Sequence, residues 1–424
     1  MEILNINFLG SSICNLQCSY CYVPKVKELK SIHDNVNIGI KNGSIVKHLN
    51  EKYVLDKVTS IGFWGAEPTL NLDNSFIFLS DMMKTSPIRE VFIPTNFTTN
   101  PDLLVSFIEK IGRIVKEKFK IRIQISLDGP DFITDVNRGE KVTGRILENV
   151  ENFIKKLNVS KDIDNVEINI FVKSTWSAKN LTYLSEHLDK INDVKVFFEE
   201  INTQFNDMNK RKNVFVNLKA SGNMETPGNY NTDDGKNFAI VLDRMGQIGS
   251  NIAIFGTFMS ALKKVLESRN LFSRPDYFTC SSVRNSISIG DNWKSHLCHR
   301  TFHIKYDDSA KHQKEFTDKF IDNIVDERSV NYLISTYHYF SALRLNLTAN
   351  TAMELAYNGQ IYNKYRNIDY AFLLSMLVDV AICCPLENLL ENFSVNSNPA
   401  SSVRLFGNGA LDVLIKYYKE RYGS

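Results

Sequence analysis

From Leu4 to Asn202, short apolar runs of period two alternate with longer runs of helical spacing, and this alternation restricts the fold more than any single residue does. Leu4, Ile6 and Phe8 alternate with Asn5 and Asn7, which is strand spacing. Further strands are expected at Val58–Gly65, Glu90–Asn96, Lys120–Gly129, Val166–Ser174 and Val194–Asn202; the fourth in chain order aligns Ile121, Ile123, Ile125 and Leu127 on one face. Between them lie helical patterns. One begins at Asn100-Pro101 and buries Leu104, Phe107, Ile108, Ile111 and Ile114. Others run through Ile146, Leu147, Val150, Phe153, Ile154 and Leu157, and through Leu181, Leu184, Leu188 and Ile191. Strands that alternate with helices require a parallel sheet with right-handed crossovers, either an open doubly wound sheet or a partial barrel.

The chain continues well past this block. Its 424 residues suit two or three domains, or one large barrel with an appendage. Thr203–Lys236 is rich in Asn, Lys, Gly and Asp and reads as a long loop, either a mobile insertion or a lid over a site. Helical spacing resumes at Phe238–Ile248 and Phe258–Leu266, so residues 237–268 read as the last helices of the core and a bridge. A strand-turn-strand follows at Ser286–Leu297, turning at Gly290-Asp291-Asn292, and from about Lys314 the pattern is mostly helical.

Composition excludes several classes. With 43% hydrophobic and 23% charged residues, the chain is neither disordered nor collagen-like. Lys and Arg total 50 against 48 Asp and Glu, a net charge of +2 that gives no support for nucleic-acid or membrane-surface binding. Met1-Glu2-Ile3 has no basic signal-peptide region, and the most apolar stretch, Tyr370–Cys384, is short, contains Asp379 and reads as a buried helix. A cytoplasmic location is expected. Thiols stay reduced there, and clustered cysteines more often bind metal than pair as disulfides.

Three of the seven cysteines cluster as Cys14-Asn-Leu-Gln-Cys18-Ser-Tyr-Cys21, immediately after the first strand. Ligand sites in parallel sheets lie at the carboxyl ends of strands, so this loop stands where chemistry is expected. Three thiolates can hold three irons of a 4Fe-4S cluster and leave the fourth iron open to a substrate. Zinc is the competing reading, but it normally pairs such a knuckle with a second half, and no second C-x2-C exists in the chain.

With Tyr20 at the aromatic position, this run resembles the C-x3-C-x-aromatic-C signature of the radical S-adenosylmethionine (radical SAM) family. Later strand ends agree with it in order. Trp64-Gly65-Ala66-Glu67-Pro68 resembles the family's Gly-Gly-Glu-Pro motif, Thr95-Asn96 stands where Thr-Asn-Gly is common, and Ser126-Leu127-Asp128-Gly129-Pro130 is followed by Arg138. The resemblance implies that Tyr20, Gly65, Ala66, Glu67, Asn96, Ser126, Asp128 and Arg138 form the SAM site. Glu67 would face the methionyl ammonium, Ser126 the ribose region and Arg138 the carboxylate. Ala66 and Phe97 replace glycines of the pattern: Ala66 fits if its φ is negative, and Phe97 raises the question of how closely that turn can approach SAM. The implied chemistry is reductive cleavage of SAM to a 5′-deoxyadenosyl radical that abstracts hydrogen, shielded from solvent by a lid for which residues 203–236 are the candidate.

Cys280, Cys298, Cys383 and Cys384 remain. The passage from Cys280 through Cys298-His299-Arg300 resembles the start of a SPASM or shorter twitch extension, which implies an auxiliary iron–sulfur cluster, with Cys383-Cys384 left to close it. The expected fold is therefore α/β, a partial (β/α)6 TIM-like barrel over residues 1–202, with a small auxiliary-cluster domain and a mostly helical C-terminal region over 269–424. Other readings stay open: Cys280, Cys298, His299 and His303 could hold zinc, and Cys383 and Cys384 could be plain buried residues. His299, where some related maturases place an acidic base, is a candidate catalytic base or else a surface histidine.

Extensions of this kind imply a peptide or protein substrate. The leading expectation is maturation of a ribosomally made precursor peptide (a RiPP), by crosslinking. The alternatives are formylglycine-type oxidation of a protein, action on a small molecule, or a non-catalytic iron–sulfur or zinc scaffold that binds a peptide. Expected partners are the precursor peptide and an external low-potential electron donor of the flavodoxin or ferredoxin type; because the cluster motif begins at residue 14 with no recognition domain before it, any leader recognition is expected to use the C-terminal half or a separate leader-binding protein.

Overall fold

A computed structural model describes residues 3–21, 23, 27–219, 223–224, 232–249, 286–290, 293, 295–296 and 302. Its strands are β1 (Asn5–Ser11), β2 (Ser60–Gly65), β3 (Glu90–Thr95), β4 (Phe119–Ser126), β5 (Val166–Lys173), β6 (Thr175–Trp176), β7 (Val214–Asn217), β8 (Asn223–Met224), β9 (Ser286–Ile289) and β10 (Ser295–His296). Its helices are α1 (Glu28–Lys41), α2 (Ser44–Lys52), α3 (Leu72–Met82), α4 (Pro101–Ile114), α5 (Asp131–Arg138), α6 (Val142–Val159), α7 (Ala178–Glu186), α8 (Lys190–Met208) and α9 (Thr232–Gln247).

The main sheet is eight-stranded, in the order β10-β9-β1-β2-β3-β4-β5-β7. Every pairing is parallel except β10 with β9, so the expected partial TIM-like barrel of parallel strands is present. Because β1 to β4 are parallel neighbours, their carboxyl ends open on one side. That placement brings the four motifs together.

The alternation read from the sequence sets the core. On β4 and β5 buried residues alternate with partly exposed ones, and Ile121, Ile123, Ile125, Ile168 and Ile170 lie on the covered face. Phe8 of β1 stacks on Phe78 of α3 with ring centroids 3.9 Å apart, and Phe63 of β2 meets Phe107 of α4 edge-on. Each such side chain, once fully buried, contributes about 1.5–3 kcal/mol. At the start of α4, Asn100 accepts a hydrogen bond from Asp102 N with Pro101 in the first turn, and Leu104, Phe107, Ile108 and Ile111 are buried as expected. Ile114 is half exposed instead.

Two expectations change. Val194–Asn202, expected as the sixth strand, lies within α8. Ile191, Val194, Phe198, Ile201 and Phe205 are all buried at helical spacing, and that longer pattern overrides the brief Val194-Lys195-Val196 alternation. The sixth strand is β7, which pairs with β5 from within the segment expected as a loop or lid. Residues 203–208 of that segment complete α8, so the lid expectation does not hold for its first half.

The Ser286–Leu297 hairpin is present as β9 and β10 and adds to the sheet at β1, where Asn7 Nδ2 donates to Ser288 Oγ at 3.2 Å. The chain divides into two units. The main sheet belongs to the one built from residues 1–174, 197–219 and 281–334; β6, β8, α7 and α9 belong to the other. Cys280, Cys298, His299, His303, Cys383 and Cys384 lie outside the described residues. Among the described residues, no helix is long and apolar enough to cross a membrane.

Candidate active site at the strand ends

The site begins where β1 ends. Ser11 Oγ caps the turn by donating to Ile13 O and accepting from Ile13 N, and the cysteine loop follows. Gly65, at the end of β2, allows β1 and β2 to close together here. Its φ is +121°, and a Cβ would stand 2.0 Å from Ser11 O, so no other residue fits. The next residue, Ala66, has no positive φ, which meets the condition for replacing glycine, and its N–H donates to Ser11 O at 2.8 Å.

Phe97 answers the other departure. It sits in the left-handed region at φ +55°, so the turn after Thr95-Asn96 keeps a glycine-like backbone despite a large side chain. The ring is buried and meets Phe153 edge-on at 5.5 Å, while Asn149 Nδ2 donates to Phe97 O. Packing offsets the conformational cost.

Glu67 is 1% exposed and turned inward. Its Oε1 accepts from Thr69 N and Thr69 Oγ1, and its Oε2 accepts from Asn96 N at 2.6 Å. Burial raises its pKa, and the hydrogen bonds work in the opposite direction. The carboxylate fastens the end of β2 to the end of β3.

A second carboxylate organises β4. Asp128 is fully buried and holds Arg138, the last residue of α5, through Nε and Nη2, both at 2.9 Å. Tyr20 Oη donates to the same carboxylate at 2.7 Å, and the guanidinium lies over the Tyr20 ring at 5.4 Å. Burial alone would lower the Arg138 pKa, but Asp128 outweighs it and keeps the guanidinium charged. Arg138 Nη1 is directed at Cys18 Sγ, 4.0 Å away. Ser126 stands half-buried at the end of β4, near this pair in sequence but in no part of it.

Residues that the motifs did not single out complete the surround. Asn15, Thr98 and Thr69 hydrogen-bond to Asn96 or Glu67, and Ser19 N donates to Asn137 O, which ties the cysteine loop to α5. Thr98 was detectable as a short polar residue two places after Asn96, a spacing suited to an Asx-type turn.

The donor set fits an iron–sulfur cluster. Cys14, Cys18 and Cys21 are free thiols on one loop; Cys18 and Cys21 both help to raise the pKa of Cys14, and Cys21 helps to raise that of Cys18. Cys14 is exposed by surface area, yet loss of solvation around its sulfur, reinforced by Glu67 and the other thiols, pushes it up to about 11. Among the described residues no three His, Cys, Asp or Glu side chains converge on a single ion position. An iron–sulfur cluster takes one thiolate per iron, and three thiolates on one loop can supply three.

Residues 9–172 match the Radical SAM superfamily model. Over this stretch the chain is similar to radical SAM domains. The stretch spans the cysteine loop, Glu67, Asn96, Asp128 and Arg138, and the superfamily binds SAM and a 4Fe-4S cluster. Among curated proteins none is significantly similar in sequence. Solved structures resemble the chain only remotely. Native anSMEcpe with bound AdoMet is 17% identical, with a TM-score of 0.46 over 99% of this chain and 100% of that one. Streptococcus suis SuiB is 16% identical, with a TM-score of 0.41 over 70% of this chain and 60% of that one. Neither likeness bears on the substrate of this protein.

Proposed function

We propose that this protein is a cytoplasmic radical SAM enzyme that modifies a peptide, with crosslinking of a ribosomally made precursor as the reaction. The observation that carries the SAM chemistry is the three-cysteine loop at the end of β1, set beside the ends of β2, β3 and β4 on one side of a parallel sheet. The peptide substrate is supported by the resemblance of the Cys280–Arg300 passage to SPASM and twitch extensions. On the same ground, Cys280, Cys298, Cys383 and Cys384 are proposed ligands of one auxiliary cluster and His299 a proposed base.

Cys14, Cys18 and Cys21 would hold the cluster, and Tyr20, Gly65, Ala66, Glu67, Asn96, Ser126, Asp128 and Arg138 would form the SAM site. When bound, these groups supply the electron that cleaves the SAM carbon–sulfur bond and the 5′-deoxyadenosyl radical that takes a hydrogen atom from the substrate. The chain's own part is to position. Gly65 admits close backbone approach at the β2 end, and the Asp128–Arg138 pair presents a fixed positive group beside Cys18. Tyr20 closes over that pair and keeps water from it. Electrons would come from a flavodoxin- or ferredoxin-type donor.

The test uses a candidate precursor peptide, deuterated at side-chain carbons. Deuterium appearing in 5′-deoxyadenosine, with loss of two hydrogen atoms from the peptide, is the expected result. If SAM is cleaved with no deuterium transfer and no change in peptide mass, the peptide substrate is wrong.

A further inference from the structure

The side chain of Asn96 is held with an orientation that its place in a SAM-facing motif does not require. Asn15 Nδ2 donates to Thr98 Oγ1 at 2.9 Å, Thr98 Oγ1 donates to Asn96 Oδ1 at 2.7 Å, and Asn96 Nδ2 donates to Asn15 Oδ1 at 2.9 Å. The three side chains close a ring. Thr98 N also donates to Asn96 Oδ1 at 2.9 Å, so the amide oxygen already serves two donors and the NH2 group must face the other way. One N–H of that group completes the ring. The other is directed at Cys14 Sγ, 3.6 Å away. The backbone of Asn96 is held as well, by the Glu67 carboxylate.

We infer that Asn96 is a positioning residue for the cluster, donating a hydrogen bond to Cys14 Sγ that stabilises the reduced cluster and raises its reduction potential. The inference rests on the reading of Cys14, Cys18 and Cys21 as cluster ligands. Reduction adds negative charge that is shared with the ligand sulfurs, and a donor aimed at a sulfur stabilises the reduced form more than the oxidised one. The donor is 6% exposed, so water screens it little. Two further N–H groups point the same way, Leu16 N at Cys14 Sγ (3.3 Å) and Arg138 Nη1 at Cys18 Sγ (4.0 Å). Of these, only the Asn96 donor is set by a ring of side chains from two different loops.

The experiment is a redox titration of the anaerobically reconstituted protein, monitored by electron paramagnetic resonance, with Asn96→Ala and Asn96→Leu beside the wild type. Both variants remove the donor, and they differ in the volume left behind. Only the difference between the donor's effect on the reduced and oxidised cluster shifts the potential, so at fixed potential the ratio of reduced to oxidised cluster is expected to fall by up to about tenfold, or up to about 59 mV for one electron. An unchanged or raised potential in an iron-loaded variant overturns the inference, and so does failure of both variants to load iron, since the residue would then only hold the loop. A wild type that assembles no cluster sinks the reading of the site itself, which is a different result.

Discussion

Arg138 and Asp128 meet through two parallel hydrogen bonds of 2.9 Å, with both side chains almost wholly removed from solvent. The pair joins the end of α5 to the end of β4, and Tyr20 ties the cysteine loop to the same carboxylate. Removing one partner leaves a buried charge alone, so Asp128→Ala should cost about 3–5 kcal/mol in denaturant unfolding. Adding Arg138→Met should return part of that loss. A double variant whose loss equals the sum of the two single losses would show that the pair is not coupled.

Phe97 supplies a contrast between backbone and side chain. Both Phe97→Ala and Phe97→Gly lose the contact with Phe153, and burial of this kind is worth about 3–5 kcal/mol. At φ +55°, however, glycine carries no left-handed penalty, so Phe97→Gly should be the more stable of the two by about 1 kcal/mol. Thermal melts decide it. If the alanine variant is the more stable, the turn does not hold that conformation in solution.

Glu67 predicts a pH dependence. Burial raises its pKa, so between the ordinary glutamate value and the raised one the folded protein binds more protons than the unfolded chain. Glu67 therefore makes stability fall as pH rises through that window and level off above the raised pKa. Glu67→Gln should remove this part of the slope while weakening the tie to Asn96 N. Unfolding measured at intervals from pH 4 upward tests it, and identical slopes in the two proteins would refute it.

The strands and the cysteine loop were legible in the sequence because their signals are local: period-two apolar runs, and three thiols within one turn of chain. The error at α8 came from choosing a short alternation, Val194-Lys195-Val196, over the longer helical spacing from Ile191 to Phe205. The strand β7 was hidden because Val214-Phe215-Val216 is a run of only three apolar residues inside a long segment rich in Asn, Lys, Gly and Asp. Side-chain direction was not legible at all. Glu67 turns inward because donors from residues 69 and 96 meet it, and the ring of Asn15, Thr98 and Asn96 exists only once β1 and β3 lie on the same side of the sheet.

The central claim is that the loop of Cys14, Cys18 and Cys21 supports reductive cleavage of SAM. The most direct measurement is 5′-deoxyadenosine formed on reduction of anaerobically reconstituted protein with SAM, for the wild type and for Cys18→Ala. The wild type should form 5′-deoxyadenosine and methionine in equal amounts, and Cys18→Ala should form none. A wild type loaded with about four irons per chain that forms no 5′-deoxyadenosine, with or without candidate peptides, would contradict it.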